Sequence, residues 1–246
     1  MKSVIIIPAR YGSSRYKGKP LVKILDREMV LRVADICSKV VEKKNLYVAT
    51  DNSKISKLVK NAKYNVLMTS TKCLTGTDRV AEASKKIKSK IYINVQGDEP
   101  IFDPHDLKKL IRYGLKNPSV IVSGYCEINE ERMYNDLNVP KVVLDKENYL
   151  MYASRAPIPS NKKAKFISAN RQICAYSFPK ETLKIFSSYK KKAYLEGIED
   201  IEYLRFLEIG IKVKCIKMTG KSLAIDNRYD LNAVTKIIKK NKKDYE

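Results

Sequence analysis

The densest chemistry in the chain lies directly after its first apolar run. Pro8 to Lys19 reads Pro-Ala-Arg-Tyr-Gly-Ser-Ser-Arg-Tyr-Lys-Gly-Lys and holds two glycines, two serines, two arginines and two lysines. Glycine lets a backbone approach a polyphosphate closely, and the free N–H groups of such a loop form an anion-binding concavity. Arg10, Arg15 and Lys19 are placed to neutralise triphosphate charge. The loop is neither a GxxxxGK[ST] nor a GxGxxG sequence. It can also be read as an ordinary basic surface loop. Its place after a buried strand favours the phosphate reading, because doubly wound folds hold phosphates there.

Two carboxylates far apart in sequence follow the same logic. Asp98 sits in Gln96-Gly-Asp-Glu-Pro100, after the apolar Ile91 to Val95. Gly97 and Pro100 turn the chain there, which projects Asp98 outward and lets Glu99 point away. Asp226 follows the apolar Ser222 to Ile225. Such oxygens suit magnesium, which keeps several waters while bridging phosphates. Each aspartate also reads as a turn or N-cap residue. Arg155 can grip a carboxylate with its planar fork, or be pinned to an acidic loop. Thr77 or Asp78 can cap the helix that follows, and Arg79 can pair with Glu82 at i, i+3.

These residues need a frame, and hydrophobic periodicity supplies it. Strands are expected at Ser3 to Ile7, Asn45 to Thr50, Asn65 to Met68 and Ile91 to Val95. Helices are expected at Met29 to Val41, Lys54 to Ala62, Asp78 to Ile87 and Pro104 to Gly114. This alternation predicts an α/β fold with a mainly parallel, doubly wound (Rossmann-like) sheet. Strands at Val139 to Leu144, Tyr149 to Ala153 and Gln172 to Phe178 then follow with little helix between them. A helix at Glu199 to Leu207, a strand at Lys212 to Met218 and a last helix at Arg228 to Lys240 complete the chain. One domain over 1–246 is expected, with a strand-rich insertion over roughly 125–190.

Composition narrows the function. The 246 residues are 44% hydrophobic and 31% charged, enough for a sizeable core in a soluble domain. The apolar runs are too short to span a membrane, and no signal-peptide pattern opens the chain. Five scattered cysteines without a CxxC, and one histidine, His105, argue against zinc and against histidine-driven nucleophilic catalysis. They suit a reducing cytoplasm. The net charge of +22 raises a second class, a basic nucleic-acid-binding protein. The excess is mostly lysine without interleaved aromatic residues, so no stacking platform is read, and neither a nucleic-acid nor a membrane partner is expected.

The loop Pro8 to Leu21 resembles the signature of the 3-deoxy-manno-octulosonate (Kdo) cytidylyltransferase family, approximately PARxxSxRxxGKxL. The resemblance continues in order through Thr75-Gly-Thr-Asp-Arg79, Asn94 to Pro100, Lys141 to Asp145, Ser154 to Pro159, Leu195 to Arg205 and Ala224 to Leu231. It therefore spans nearly the whole chain. It implies a nucleotidyltransferase-type fold, a CTP site, magnesium and a homodimer formed through the strand-rich insertion. On that resemblance Pro8, Ala9, Arg10, Ser13, Arg15, Lys19, Thr77, Arg79, Gln96, Gly97 and Asp98 bind the nucleotide, with Gln96 near cytosine and ribose. Lys19 and Asp98 form the catalytic pair, Asp98 and Asp226 hold the metal, and Lys141, Arg155, Asn170, Glu196 and Tyr203 face the acceptor.

The implied reaction is transfer of CMP from CTP to an acidic sugar, first among them 3-deoxy-manno-octulosonate. Pyrophosphate is released, and the product serves lipopolysaccharide or capsule synthesis. Three departures cluster on the acceptor side. Asn170 stands at a family histidine, Arg171 and Gln172 replace smaller or apolar residues, and Tyr203 replaces a glutamine. They motivate an alternative acceptor, another ulosonic or sialic-type acid or a phosphonate. Asp226-Asn-Arg-Tyr-Asp230 also replaces the family's Asp-Thr-Pro-acid ending, and Cys73 replaces a histidine.

Overall fold

A computed structural model describes residues 2–12, 17–225 and 227–241. The first strand, β1 (Ser3–Ala9), explains the architecture. Val4 and Ile6 are buried in one apolar cluster, Ile5 and Ile7 in another. Side chains alternate across a strand, so a continuous apolar run needs cover on both faces. One face receives α1 (Met29–Ser38), α2 (Ser53–Asn61) and α4 (Pro104–Lys116); the other receives α3 (Gly76–Ser84), α6 (Lys180–Ser188) and α8 (Leu204–Glu208).

Among the described residues the main sheet has nine strands. β4 (Leu46–Thr50), β5 (Asn65–Met68), β6 (Ile91–Val95), β7 (Ile121–Ile128), β10 (Ala169–Pro179) and β11 (Val213–Lys217) join β1 in the order β11-β7-β10-β6-β1-β4-β5. β1 runs parallel to β4 and β6, β4 to β5, and β7 to β11. Of these seven strands β10 runs opposite, antiparallel to both β6 and β7. The sheet is thus mainly parallel, as expected.

The segment read as an insertion is more deeply built in. β7 and β10 lie inside the main sheet, and only the hairpin of β8 (Lys141–Leu144) and β9 (Leu150–Ser154) hangs from it, with β8 pairing to β10. α5 (Glu131–Asn135) precedes that hairpin. The single helix expected at Glu199 to Leu207 is two short ones, α7 (Tyr194–Glu199) and α8, because Asp200 adopts the left-handed conformation at φ 51°. A short hairpin, β2 (Lys23–Ile24) with β3 (Arg27–Glu28), leads into α1. The last helix, α9 (Arg228–Lys240), packs Val234 and Ile238 on Ile24, Met29 and Ile101.

Candidate active site

A cavity of about 540 Å³ opens at the carboxyl ends of β1 and β6 and along the first half of β10. That is where open α/β sheets place ligands. Pro8, Ala9 and Arg10 line it from β1, and Gln96, Gly97 and Asp98 from the turn after β6. The two turns touch. A Cβ on Gly97 would stand 2.7 Å from the Pro8 carbonyl oxygen, closer than packed atoms allow.

The loop after β1 closes on itself through the Gly18 N–H, which donates to the Tyr11 carbonyl at 2.9 Å. Gly18 has φ +72°, a conformation that costs glycine least. It starts a short 3₁₀ turn that buries Lys19. Lys19 Nζ donates to Asp98 Oδ2 at 2.7 Å. Asp98 remains about a third exposed, and its Oδ1 has no hydrogen bond among the described residues. Arg10 is exposed and makes no ion pair among the described residues. Ser13 and Arg15, expected here, lie outside the described residues, as does Asp226.

Arg79 borders the cavity but is buried, and it does not pair with Glu82. Its guanidinium donates to Asp51 Oδ2 at 2.8 Å, Thr69 Oγ1 at 2.6 Å and the Ser70 carbonyl at 3.3 Å. Asp51 also accepts from the Tyr11 N–H at 3.3 Å, so Arg79 braces the phosphate-type loop through Asp51. The cap of α3 is Thr75, in a capping box with Asp78, rather than Thr77 or Asp78. Thr77 is turned inward: its N–H and hydroxyl both donate to Glu202, which also accepts from the Gly76 N–H at 3.0 Å. Gln96 packs on the same helix start, where a Cβ on Gly76 would lie 2.9 Å from its Oε1.

On the acceptor side the structure separates the expected residues. Arg155 borders the cavity, but its Nε donates to the Glu199 carbonyl at 2.6 Å, Nη1 to Leu137 at 3.0 Å and Nη2 to Asp200 at 3.1 Å. This is the arginine pinned to an acidic loop. Lys141 is fully buried and outside the cavity lining, its Nζ donating to the carbonyls of Asp136 (2.8 Å) and Arg155 (2.5 Å). Burial lowers its pKa. Glu196 is also fully buried away from the cavity, gripped by Arg205 at 2.6 and 2.7 Å. Arg205 reaches on to Asp78 at 3.0 Å and stacks on Phe186. Tyr203 lies in the apolar cluster under β10, and Asn170 is not among the lining residues. Arg155, Lys141 and Glu196 hold the frame: the first two fasten the β8–β9 hairpin to the segments beside it, and Glu196 ties α7 to Arg205.

The cavity and its supports bring in residues that sequence reasoning passed over. Asp51 stands at the carboxyl end of β4, the signal that marked Asp98, and was legible on that ground. Glu202 had no such signal. Arg171 was noted only as a departure; its Nη2 donates to the carbonyls of Gly220 (2.7 Å) and Ser222 (3.1 Å). Glu99 does not point away to solvent. It is buried, its Oε1 accepts the Cys174 N–H at 3.3 Å, and its Oε2 makes no hydrogen bond among the described residues. The Cys174 N–H is free to reach Glu99 because β10 bulges between Ile173 and Tyr176. Burial first, then the Asp98 charge, push the Glu99 carboxyl up to about 7.

The residues fit a magnesium ion in part. Asp98 offers a cavity-facing hard oxygen, and the Ile225 N–H donates to the Asp98 carbonyl at 2.9 Å, bringing the segment before Asp226 alongside. No group of three or more histidine, cysteine, aspartate or glutamate ligands occurs among the described residues.

Comparison with known proteins follows the same lines. The family model described as cytidylyltransferase matches residues 4–216. A 3-deoxy-manno-octulosonate cytidylyltransferase of Syntrophotalea carbinolica is 34% identical, over 94% of this chain and 96% of that protein. An 8-amino-3,8-dideoxy-manno-octulosonate cytidylyltransferase of a Shewanella species is also 34% identical, over 94% and 96%. The solved structure of CMP:2-keto-3-deoxy-manno-octonic acid synthetase complexed with CTP superposes with a TM-score of 0.88 at 28% identity, covering 98% of this chain and all of that one.

Proposed function

This chain belongs to the cytidylyltransferase family, and on that premise we propose that it transfers CMP from CTP to an acidic sugar of the 3-deoxy-manno-octulosonate class, releasing pyrophosphate. The observation that carries the reading is the Lys19–Asp98 couple at 2.7 Å, set between the carboxyl ends of two parallel strands beside a basic loop. The acceptor's anomeric hydroxyl attacks the α-phosphorus in line with the departing pyrophosphate. Lys19 and Arg10 neutralise the triphosphate and the charge that develops on the leaving group. Arg79 and Asp51 keep the loop in place, and Gln96 and the start of α3 form the wall for base and ribose. Positioning and charge stabilisation do most of the work.

Asp98 and Asp226 would hold magnesium, which when bound supplies Lewis-acid charge at the phosphate oxygens and acidifies the attacking hydroxyl. The proposal extends to a homodimer, since among the described residues β9 pairs only with β8 and leaves Met151 exposed. It extends also to a cytoplasmic setting, which the five free cysteines suit, and to lipopolysaccharide or capsule synthesis. No helix among the described residues is long and apolar enough to cross a membrane.

The departures at Asn170, Arg171, Gln172 and Tyr203 favour a second reading, in which the acceptor is a different acid. Relatives named for a sugar and for its 8-amino analogue match equally well. Pyrophosphate release with CTP, ATP, GTP and UTP against a panel of ulosonic, sialic-type and phosphonic acids tests both, with and without chelator. Release with CTP and one acid, lost on chelation and restored by magnesium, is expected. Preference for another nucleotide, or chelator-resistant turnover, would sink the proposal.

A further inference from the structure

An acidic acceptor needs a cation for its carboxylate, and three guanidiniums border the acceptor side of the cavity: Arg155, Arg171 and the exposed Arg132, whose Nη2 donates to the Tyr229 hydroxyl at 3.2 Å. They are unequally available. All three nitrogens of Arg155 already donate to main-chain carbonyls, those of Glu199, Leu137 and Asp200. Its N–H is held as well, by Glu199 Oε2 at 2.8 Å. Arg155 is a strut between β9 and α7.

Arg171 is held at one nitrogen only. Nη2 donates to Gly220 and Ser222, while Nε and Nη1 meet no carbonyl or carboxylate within hydrogen-bond distance among the described residues. The Cys126 thiol lies against the guanidinium, and the charged neighbour facing it is the buried Glu99. The side chain is half-buried, on a strand held at that position by β7 on one side and β8 on the other. A fixed, partly desolvated guanidinium with donors to spare binds an anion at little cost in side-chain entropy.

We infer that Arg171, rather than Arg155, recognises the carboxylate of the acceptor in this chain and sets its preference for acids. The inference rests on the acidic-acceptor reading above. Arg171 is a specificity residue that the basic substitution on β10 introduces, and the two carbonyls behind it aim it.

The test uses the full-length enzyme, saturating CTP, and two acceptors: the acid that the wild type uses best and its primary amide. The ratio of kcat/KM for acid over amide reads the carboxylate contact itself. Arg171→Gln is expected to lower that ratio by between about tenfold and a hundredfold, the scale of one charge-assisted hydrogen bond. Turnover of the amide and the KM for CTP should stay within about twofold. Arg171→Lys, which keeps the charge but not the fork, should give an intermediate ratio and serves if the glutamine variant does not fold. Arg155→Gln should depress acid and amide alike.

An unchanged ratio in both Arg171 variants overturns the inference. So does an equal loss for acid and amide, which marks a merely structural role, a raised KM for CTP alone, or collapse of the ratio in Arg155→Gln. Failure of the wild type to release pyrophosphate with any acid is a different result. It removes the acidic-acceptor reading, and the inference with it.

Discussion

Lys19 and Asp98 are 79 residues apart in the chain and 2.7 Å apart in the fold. Asp98 follows β6, and the loop after the neighbouring parallel β1 folds back through the Gly18–Tyr11 hydrogen bond to carry Lys19 to it. Asp98→Asn keeps the shape and one hydrogen-bond acceptor but removes the charge and the hard metal ligand. Turnover should fall by at least about a hundredfold, the scale of losing an electrostatic contact in a closed site. The melting temperature should stay within a few degrees, because Asp98 is partly exposed. Pyrophosphate release and thermal melts measure both. Near-normal activity would remove Asp98 from the mechanism.

Glu196 and Arg205 make a different prediction. Their two hydrogen bonds of 2.6 and 2.7 Å are fully buried, and Arg205 continues to Asp78. Glu196→Gln takes one of two carboxylates from the buried Arg205 and leaves it Asp78. It should cost roughly 1.5–3 kcal/mol of stability, the scale of a hydrogen bond to a charged group, read by denaturant melts. The KM for the acceptor should not change in the folded fraction. A raised acceptor KM at wild-type stability would return Glu196 to the acceptor site.

The donor half of the site was legible because its signals are local. A glycine-bearing basic loop after β1 and a Gly-Asp turn after β6 state both their chemistry and their place. The acceptor half was not. Arg155, Glu196 and Tyr203 have the right types, but what they touch depends on how α7 and α8 turn at Asp200, a left-handed residue that periodicity does not reveal. β10 was recognisable as a strand, yet its insertion between β6 and β7 is a long-range pairing with no sequence marker. At Asn170 and Arg171 its neighbours are β7 and β8, and there Arg171 borders the cavity while Asn170 lies outside its lining. Buried ties look like ligands in a sequence, because both are polar residues beside apolar ones.

Gly97 couples frame and site at one atom. Its missing Cβ leaves room for the Pro8 carbonyl, which would otherwise stand at 2.7 Å. The obstacle is backbone, so β1 and the Asp98 turn must separate to admit a methyl group. Gly97→Ala should cost about 1–3 kcal/mol from overpacking. It should also lower kcat by more than tenfold, since small displacements of positioned groups are expensive. Wild-type kcat in a folded alanine variant would show that the turn tolerates the shift.

Glu99 makes stability depend on pH. Its folded-state pKa is raised from 4.5 to about 7, by burial first and by Asp98 second. The folded protein therefore keeps this proton where the unfolded chain has lost it. Stability is fully present below about pH 4.5, declines as pH rises through the window to about 7, and stays lower above it. The loss amounts to roughly 3 kcal/mol at 1.36 kcal/mol per pH unit. Glu99→Gln mimics the protonated form and keeps an acceptor for the Cys174 N–H. Melted in chelator, which keeps cations off Asp98, the variant should match the wild type at pH 5 and exceed it by several degrees at pH 8. Parallel curves for the two proteins across that range would show that Glu99 does not hold its proton in the fold.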